Sequence, residues 1–428
     1  MTKREASGMK EGKPETANGN NGWVPVTAES SRPMRIALLA GPMLPVPPVA
    51  YGGTERVVAA LATELGKRGH DVTVYASGDS TVDARLRPVV ERALWRTGYR
   101  GDVSAHMLRA VARCWAEADR FDIVHSHVES FGFPFARHAP VPVVTTLHGR
   151  LDVAGMPGLL DEFTDIPLVA ISESQKRWAP DANWVGVVHN GLPLEHMPTS
   201  RDIDDSLLFV GRIAPEKGVA DSIELARRVD IPLKIVAKVH DPSEIALHEQ
   251  LVAPAVATGD VEFLGELPPS ARDPLYASVR ATLMRGAWPE PFGLVAIESL
   301  ATGTPVIARR AGALPEIVEH GIDGYIVDDL DEAEHAVRLL DRLARRVIRR
   351  RAITRFSASR MADGYLAAYR SVLRRRQDRV VADEETPLRS LPAEPLSPQR
   401  ANNGRDPRAP AGRSRRDGAE QEVEHGAA

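Results

Sequence analysis

Apolar residues along this chain follow two alternating rhythms. MRIALLAG (34–41) is a continuous apolar run ending in Gly, the pattern of a strand buried on both faces. A Pro-rich loop leads to ERVVAALATELGKRG (55–69), where apolar residues fall at helical spacing and a glycine marks the stop. HDVTVYAS (70–77) predicts the next strand and 104–119 a helix, followed by the strands FDIVHSH (121–127), VPVVTTLHG (141–149), PLVAISE (167–173) and WVGVVHNG (184–191). The pattern then restarts. SLLFVGR (206–212), LKIVAK (233–238), VEFLG (261–265), ATLMR (281–285), TPVIAR (304–309) and GYIVDD (324–329) predict strands. Helices are predicted between them at 219–230, 243–257, 269–279, 293–302 and 314–321, and a long helical region fills 331–374 with an interruption near Thr354–Ser357. Strands alternating with helices build parallel sheets. The expectation is two doubly wound α/β units, split near 192–205, with a cleft at the carboxyl ends of their strands.

Composition narrows the class. A chain of 428 residues, 43% hydrophobic and 26% charged, reads as a soluble globular protein of two or three domains. The net charge of -4 calls for neither nucleic acid nor an acidic membrane, and nothing specifies an oligomer. The single cysteine, Cys114, excludes an internal disulfide and a cysteine metal cluster, which fits a reducing, cytoplasmic setting. No apolar run reaches the roughly 18 residues of a membrane helix. Residues 1–33 and 376–428 are rich in Gly, Asn, Pro and charge and read as disordered tails. The ordered part divides into 34–198, 199–356 and a last helix over 357–375.

The candidate chemistry lies in the loops at strand ends. GPMLPVPPVAYGGTERVV contains neither GxGxxG nor GxxxxGK[ST], so the dinucleotide fingerprint and the P-loop are both absent. Gly52 and Gly53 immediately precede a helix, with Thr54 placed to cap it. Paired glycines let backbone N–H groups approach a ligand, and a helix start favours an anion; a plain tight turn explains them as well. FVGRIAPEKG (209–218) puts Arg212 and Lys217 in one loop between a strand end and a helix start. Arg binds phosphate bidentately and Lys adds a point charge, so this loop reads as an anion cradle rather than solvated charge. In EPFGLVAIE (290–298), Pro291 and Gly293 mark a helix start between two glutamates. Glu290 falls in the loop and Glu298 inside the helix, so they share no helical face. With the free N–H groups of Phe292, Gly293 and Leu294 between them, the segment suits a clamp that binds a sugar with one carboxylate, a diphosphate with the N–H groups and a ribose with the other carboxylate; a glutamate merely favourable to the helix dipole is the alternative.

Histidines end three predicted strands, in His125-Ser126-His127, Thr145-Thr146-Leu147-His148 and Val188-His189-Asn190. His-x-His on a strand can chelate zinc, but no HExxH, cysteine or carboxylate cluster accompanies it, and local hydrogen bonding or a place in the cleft fits better. Asp202-Ile203-Asp204 and Asp329-Leu330-Asp331 match the DxD pattern that holds a metal on a nucleotide sugar. The first falls in the linker and the second at a distal helix start. No metal or cofactor is therefore expected.

Taken in order, YGGTERVV, DIVHSHVE, TLHG, ISES, VVHNGL, FVGRIAPEKG and EPFGLVAIESLATGTPVIARRAGALPEIVEHGIDGYIVDD resemble the retaining glycosyltransferases of family 4, also called group 1. The YGGTERVV loop and the Trp-Pro before Glu290 are most similar to a subgroup containing an avilamycin-pathway enzyme. The resemblance covers about 34–375 and implies a GT-B fold of two Rossmann-like domains. It implies that the first domain binds an acceptor and the second a nucleotide-sugar donor, and that the last helix crosses back onto the first. Arg212 and Lys217 would contact the diphosphate, Glu290 the sugar hydroxyls and Glu298 the ribose. The N–H groups of Phe292, Gly293 and Leu294, with Gly52 and Gly53, would face the sugar and diphosphate, and His148 the transferred sugar. The implied reaction is metal-independent hexosyl transfer to a hydroxyl with retention, in which the departing phosphate takes the acceptor proton on the same face. A nucleotide-sugar epimerase and a non-catalytic sugar-nucleotide binder share the plan.

Overall fold

A computed structural model describes residues 32–50 and 52–385. Two all-parallel sheets form within one compact unit that ends at Val380. The first comprises β1 Arg35–Gly41, β2 Asp71–Ser77, β3 Arg85–Val90, β4 Ile123–Ser126, β5 Val143–Thr146, β6 Leu168–Ala170 and β7 Trp184–Val187. Its order is β3-β2-β1-β4-β5-β6-β7. The second comprises β8 Leu207–Arg212, β9 Leu233–Lys238, β10 Val261–Gly265, β11 Ala281–Met284, β12 Val306–Arg309 and β13 Gly324–Val327, in the order β10-β9-β8-β11-β12-β13. In each sheet the order reverses direction once, between β1 and β4 and between β8 and β11. Loops that leave neighbouring strands in opposite directions open a crevice at that point.

β1 is apolar because both of its faces are covered: Ile36, Leu38 and Leu39 are fully buried. The helix Gly53–Lys67 lays Val57, Val58, Leu61 and Leu65 against one face. The same core receives Met361, Ala362, Tyr365 and Tyr369 from the helix Ala358–Glu385, so the end of the chain packs on the first sheet. That helix runs ten residues past the predicted end at 375 and takes in 376–385 of the predicted tail. RRQDRVVADEE draws seven of its eleven residues from the good helix formers Arg, Gln, Ala and Glu, and no proline intervenes before Pro387. The rest of both predicted tails, and Tyr51, lie outside the described residues.

One strand was not predicted and one predicted helix shortens. β3, RLRPVV, carries no alternation and contains Pro88; it forms as an edge strand, a position that tolerates proline. The predicted helix 314–321 shrinks to Leu314–Ile317, because Val318 turns extended and His320 bridges to Gly324. Among the described residues, no helix is long and apolar enough to cross a membrane.

The chain passes between the two lobes twice, and the passages touch. Leu192 N–H donates to Phe356 O at 3.1 Å and Ala358 N–H to Leu192 O at 2.8 Å. Gly191 sits beneath this junction, where an added Cβ would lie 2.4 Å from Ser357 O and 2.8 Å from Met361 Cβ. Backbone cannot retreat as a flexible side chain can, so Gly191→Ala is expected to cost about 1–3 kcal/mol. Urea denaturation followed by intrinsic fluorescence checks this; an unchanged midpoint contradicts it.

Candidate functional site

The loops after β1, β5, β8 and β11 line one cavity of about 380 Å³ between the sheets. Ten residues singled out in the sequence line it: Gly52, Gly53, His148, Arg212, Lys217, Glu290, Phe292, Gly293, Leu294 and Glu298. Gly52 caps the first helix with φ 140°, a conformation that excludes ordinary side chains, and a Cβ there would lie 2.8 Å from Pro48 Cγ. The helix begins at Gly53, so Thr54 is its second residue and not its cap. A Cβ on Gly53 would lie 3.2 Å from Leu294 Cδ1, at the start of the helix Leu294–Thr302. Two helix N-termini, one from each lobe, therefore meet at the cavity. Their unsatisfied N–H groups and positive dipole ends suit an anion.

The cations lie on the same side. Arg212 ends β8 and its guanidinium is 2.8 Å from Glu216 and 3.8 Å from Glu244. Lys217 ends a short 3₁₀ turn, and its Nζ is 2.5 Å from Glu290 Oε1 and 5.3 Å from the centre of the Trp288 ring. Lys217 and Glu290 thus satisfy one another across the cavity mouth.

Glu298 stands differently. It is buried, and its Oε1 accepts from Arg56 of the first lobe at 2.5 Å and from Arg272 at 2.7 Å. Tyr276 O–H reaches Oε2 at 3.4 Å. Burial alone would push this carboxyl up, but the two guanidiniums outweigh it and hold it below the ordinary carboxylate range. Arg56 and Arg272 escaped the sequence reading. Arg56 follows the Gly52-Gly53-Thr54-Glu55 run and could have been marked by its place in the first helical turn. Arg272 sits mid-helix beside prolines and gives no signal in the sequence.

His148 follows β5 at the cavity edge. Its Nε2 is 2.9 Å from His127 Nδ1, while His125 uses both ring nitrogens on Tyr369 Oη and Thr146 Oγ1, each at 2.7 Å. His125 thus has no lone pair left for a metal, and no group of three metal-binding side chains occurs among the described residues. His189 turns to Glu316 at 3.3 Å. Asp204 is 2.6 Å from Lys234 Nζ, and Asp329 caps the helix Leu330–Arg338, so neither DxD triplet faces the cavity.

Burial holds His125 and His127 well below the ordinary histidine range and lowers His148 to about 4. The unfolded chain takes up these protons near pH 6.5 while the folded one resists, so stability falls as pH drops from about 6.5 towards 4. Glu129, raised by burial to about 7, opposes this by taking a proton in the folded state first. Three histidines outweigh one carboxyl. The melting temperature is expected to fall steadily below pH 6.5, and a flat profile down to pH 4.5 contradicts the neutral histidine cluster.

Residues 51–195 match "Glycosyltransferase Family 4" and residues 199–358 match "Glycosyl transferases group 1". The chain is 28% identical over 396 residues to a D-inositol 3-phosphate glycosyltransferase of Mycolicibacterium smegmatis, covering 79% of this chain and 91% of that one. A solved structure of AviGT4, a glycosyltransferase involved in avilamycin A biosynthesis, superposes with a TM-score of 0.61 at 24% identity, over 80% of this chain and 98% of that one. Anabaena HepE in complex with UDP and glucose gives a TM-score of 0.61 at 18% identity, over 82% and 100% of the two chains. At these identities the structural likeness is one of fold.

Proposed function

The chain belongs to the group 1 glycosyltransferases of family 4 and has their two-lobed GT-B fold, and on that premise we propose that it moves a hexosyl group from a nucleotide-diphosphate sugar to an acceptor hydroxyl with retention and without a metal. The observation that carries this reading is the Lys217–Glu290 pair, 2.5 Å apart beside two converging helix N-termini. An incoming nucleotide sugar separates the pair. Lys217 and Arg212 turn to the diphosphate, and Glu290 accepts from hydroxyls of the sugar. The N–H groups at Leu294 and Gly53 face the phosphates, Glu298 the ribose, and His148 the sugar.

The chemistry follows from charge. Cleavage of the anomeric C–O bond leaves both electrons on the diphosphate and positive charge on the sugar ring. Fixed cations and helix starts stabilise the former without reorganising. The acceptor oxygen forms the new bond on the face the phosphate leaves, and the phosphate oxygen takes its proton. Glu290 acts as a positioning residue. The acceptor enters from the first lobe.

A thermal-shift screen of nucleotide sugars tests the donor, since a ligand stabilises only the state it binds. At least one is expected to raise the melting temperature, and product NMR is expected to show the anomeric configuration unchanged, with rates unaltered by EDTA. Inverted product, or loss of activity in EDTA, sinks the corresponding part of the reading.

A further inference from the structure

His148 is held at two points by residues that do not line the cavity. Glu129 lies three residues past β4 and takes φ 48°, a left-handed backbone uncommon for a residue with a side chain. From there its Oε1 accepts the His148 N–H at 3.0 Å, and the carboxylate also takes the Gly149 N–H. A strained backbone that aims a buried carboxylate at one turn makes that turn rigid. His127 holds the other end. Its ring stacks on His148 with centres 5.2 Å apart, and its Nδ1 is 2.9 Å from His148 Nε2. His125, fixed by Tyr369 and Thr146, backs the His127 ring at 3.9 Å. With Nε2 occupied, the ring nitrogen that His148 leaves for the cavity is Nδ1.

The proton between the rings has a defined place. Burial keeps both imidazoles neutral, so each carries one N–H and only one proton lies between them. His127 Nε2 is fully buried without a partner. If His148 Nε2 carried the shared proton, His127 would have to bury an orphaned N–H at Nε2. With the proton on His127 Nδ1, only an acceptor is left unmatched there, and orphaned N–H groups are the rarer outcome in folded proteins. We propose that Glu129 and His127 are positioning residues for His148, one fixing its backbone and the other its ring, so that the imidazole presents a protonated Nδ1 to the cavity. His148 is then a hydrogen-bond donor to a ligand oxygen, a hydroxyl or a phosphate oxygen, and not an acceptor. Its part in transfer rests on the proposed donor site; the location of the proton does not.

Nitrogen-15 labelling of the histidines in the full chain, with H148N identifying this ring, reads the tautomer without any ligand. The expected spectrum has His148 Nδ1 protonated and Nε2 unprotonated; the reverse overturns the proposal. H127N places an amide N–H where His127 Nδ1 stands and is expected to keep both that tautomer and a kcat within about threefold of the parent. H127D places an acceptor there and is expected to move the proton to His148 Nε2 and to lower kcat at least about tenfold, with KM little changed. Should H127D fail to fold, the parent and H127N spectra decide. E129A is expected to lower kcat by about the same factor, and E129Q, which keeps one acceptor oxygen, to recover part of it. Equal kcat in H127N and H127D, or an unaltered E129A, overturns the positioning roles. If no nucleotide sugar is turned over, the transfer reading fails, and the spectrum still judges the proton.

Discussion

Lys217→Ala lowers turnover by about 10²–10³-fold, the loss seen when one preorganised charge-stabilising group is removed from an active site. Lys217 is the cation closest to Glu290, and the 3₁₀ turn Pro215–Lys217 and the Trp288 ring fix its approach. Its charge acts most strongly when the anomeric bond has broken and the diphosphate has gained charge, so the effect falls on kcat more than on KM. Lys217→Arg retains charge but brings a wide planar fork into a 2.5 Å contact, and recovers only part of the rate. Glu290→Ala removes the other partner and loses sugar positioning to a similar extent. Both positions are partly exposed, so the fold should tolerate the changes. Initial rates with the nucleotide sugar that gives a thermal shift, alongside melting curves, measure both effects. Turnover within threefold of the parent in Lys217→Ala would remove Lys217 from the site.

The sequence carried the fold well where a buried strand wrote itself as an apolar run. LKIVAK and VEFLG coincide with β9 and β10 to the residue; for the inner strand β9 the reason is that a parallel strand covered on both faces needs apolar side chains along its length. β3 was missed for the opposite reason: an edge strand with Pro88 needs no such run. The cavity was legible wherever a strand end, a glycine and a charge fell in one short segment, as at Arg212–Lys217 and Glu290–Leu294. It was not legible where partners come from far along the chain. Arg56 and Glu298 are 242 positions apart, and Lys217 and Glu290 are 73 apart. Arg56 meets Glu298 because of how the two lobes face one another, and Lys217 meets Glu290 because β8 and β11 lie side by side in the second sheet; no local pattern encodes either. The histidine-bearing strand ends raised a metal as one reading. The structure instead engages them with Tyr369, Thr146, Glu316 and each other.

Glu298 should prove to hold the cleft together as well as to face a ligand. Glu298→Ala leaves Arg272 buried with only Asp273 at 2.9 Å, and leaves Arg56 without its partner from the other lobe. Removing one member of a buried ion pair costs on the order of 3–5 kcal/mol, because the remaining charge keeps its desolvation penalty. Arg56→Ala is milder, since Glu298 retains Arg272 at 2.7 Å and Tyr276. Replacing Glu298 by Leu and Arg272 by Met together removes the most buried pair with its penalty and leaves only the partly exposed Arg56 and Asp273 unpaired, so it is expected to be more stable than Glu298→Ala alone. Nucleotide binding separates the two roles. A carboxylate that also accepts ribose hydroxyls predicts that the double variant, although folded, binds a nucleoside diphosphate at least about tenfold more weakly, or 1.4 kcal/mol. Urea midpoints for the four proteins and calorimetric titration with a nucleoside diphosphate give both numbers. Full affinity in the double variant would confine Glu298 to joining the lobes, and an unchanged midpoint in Glu298→Ala would confine it to the ligand.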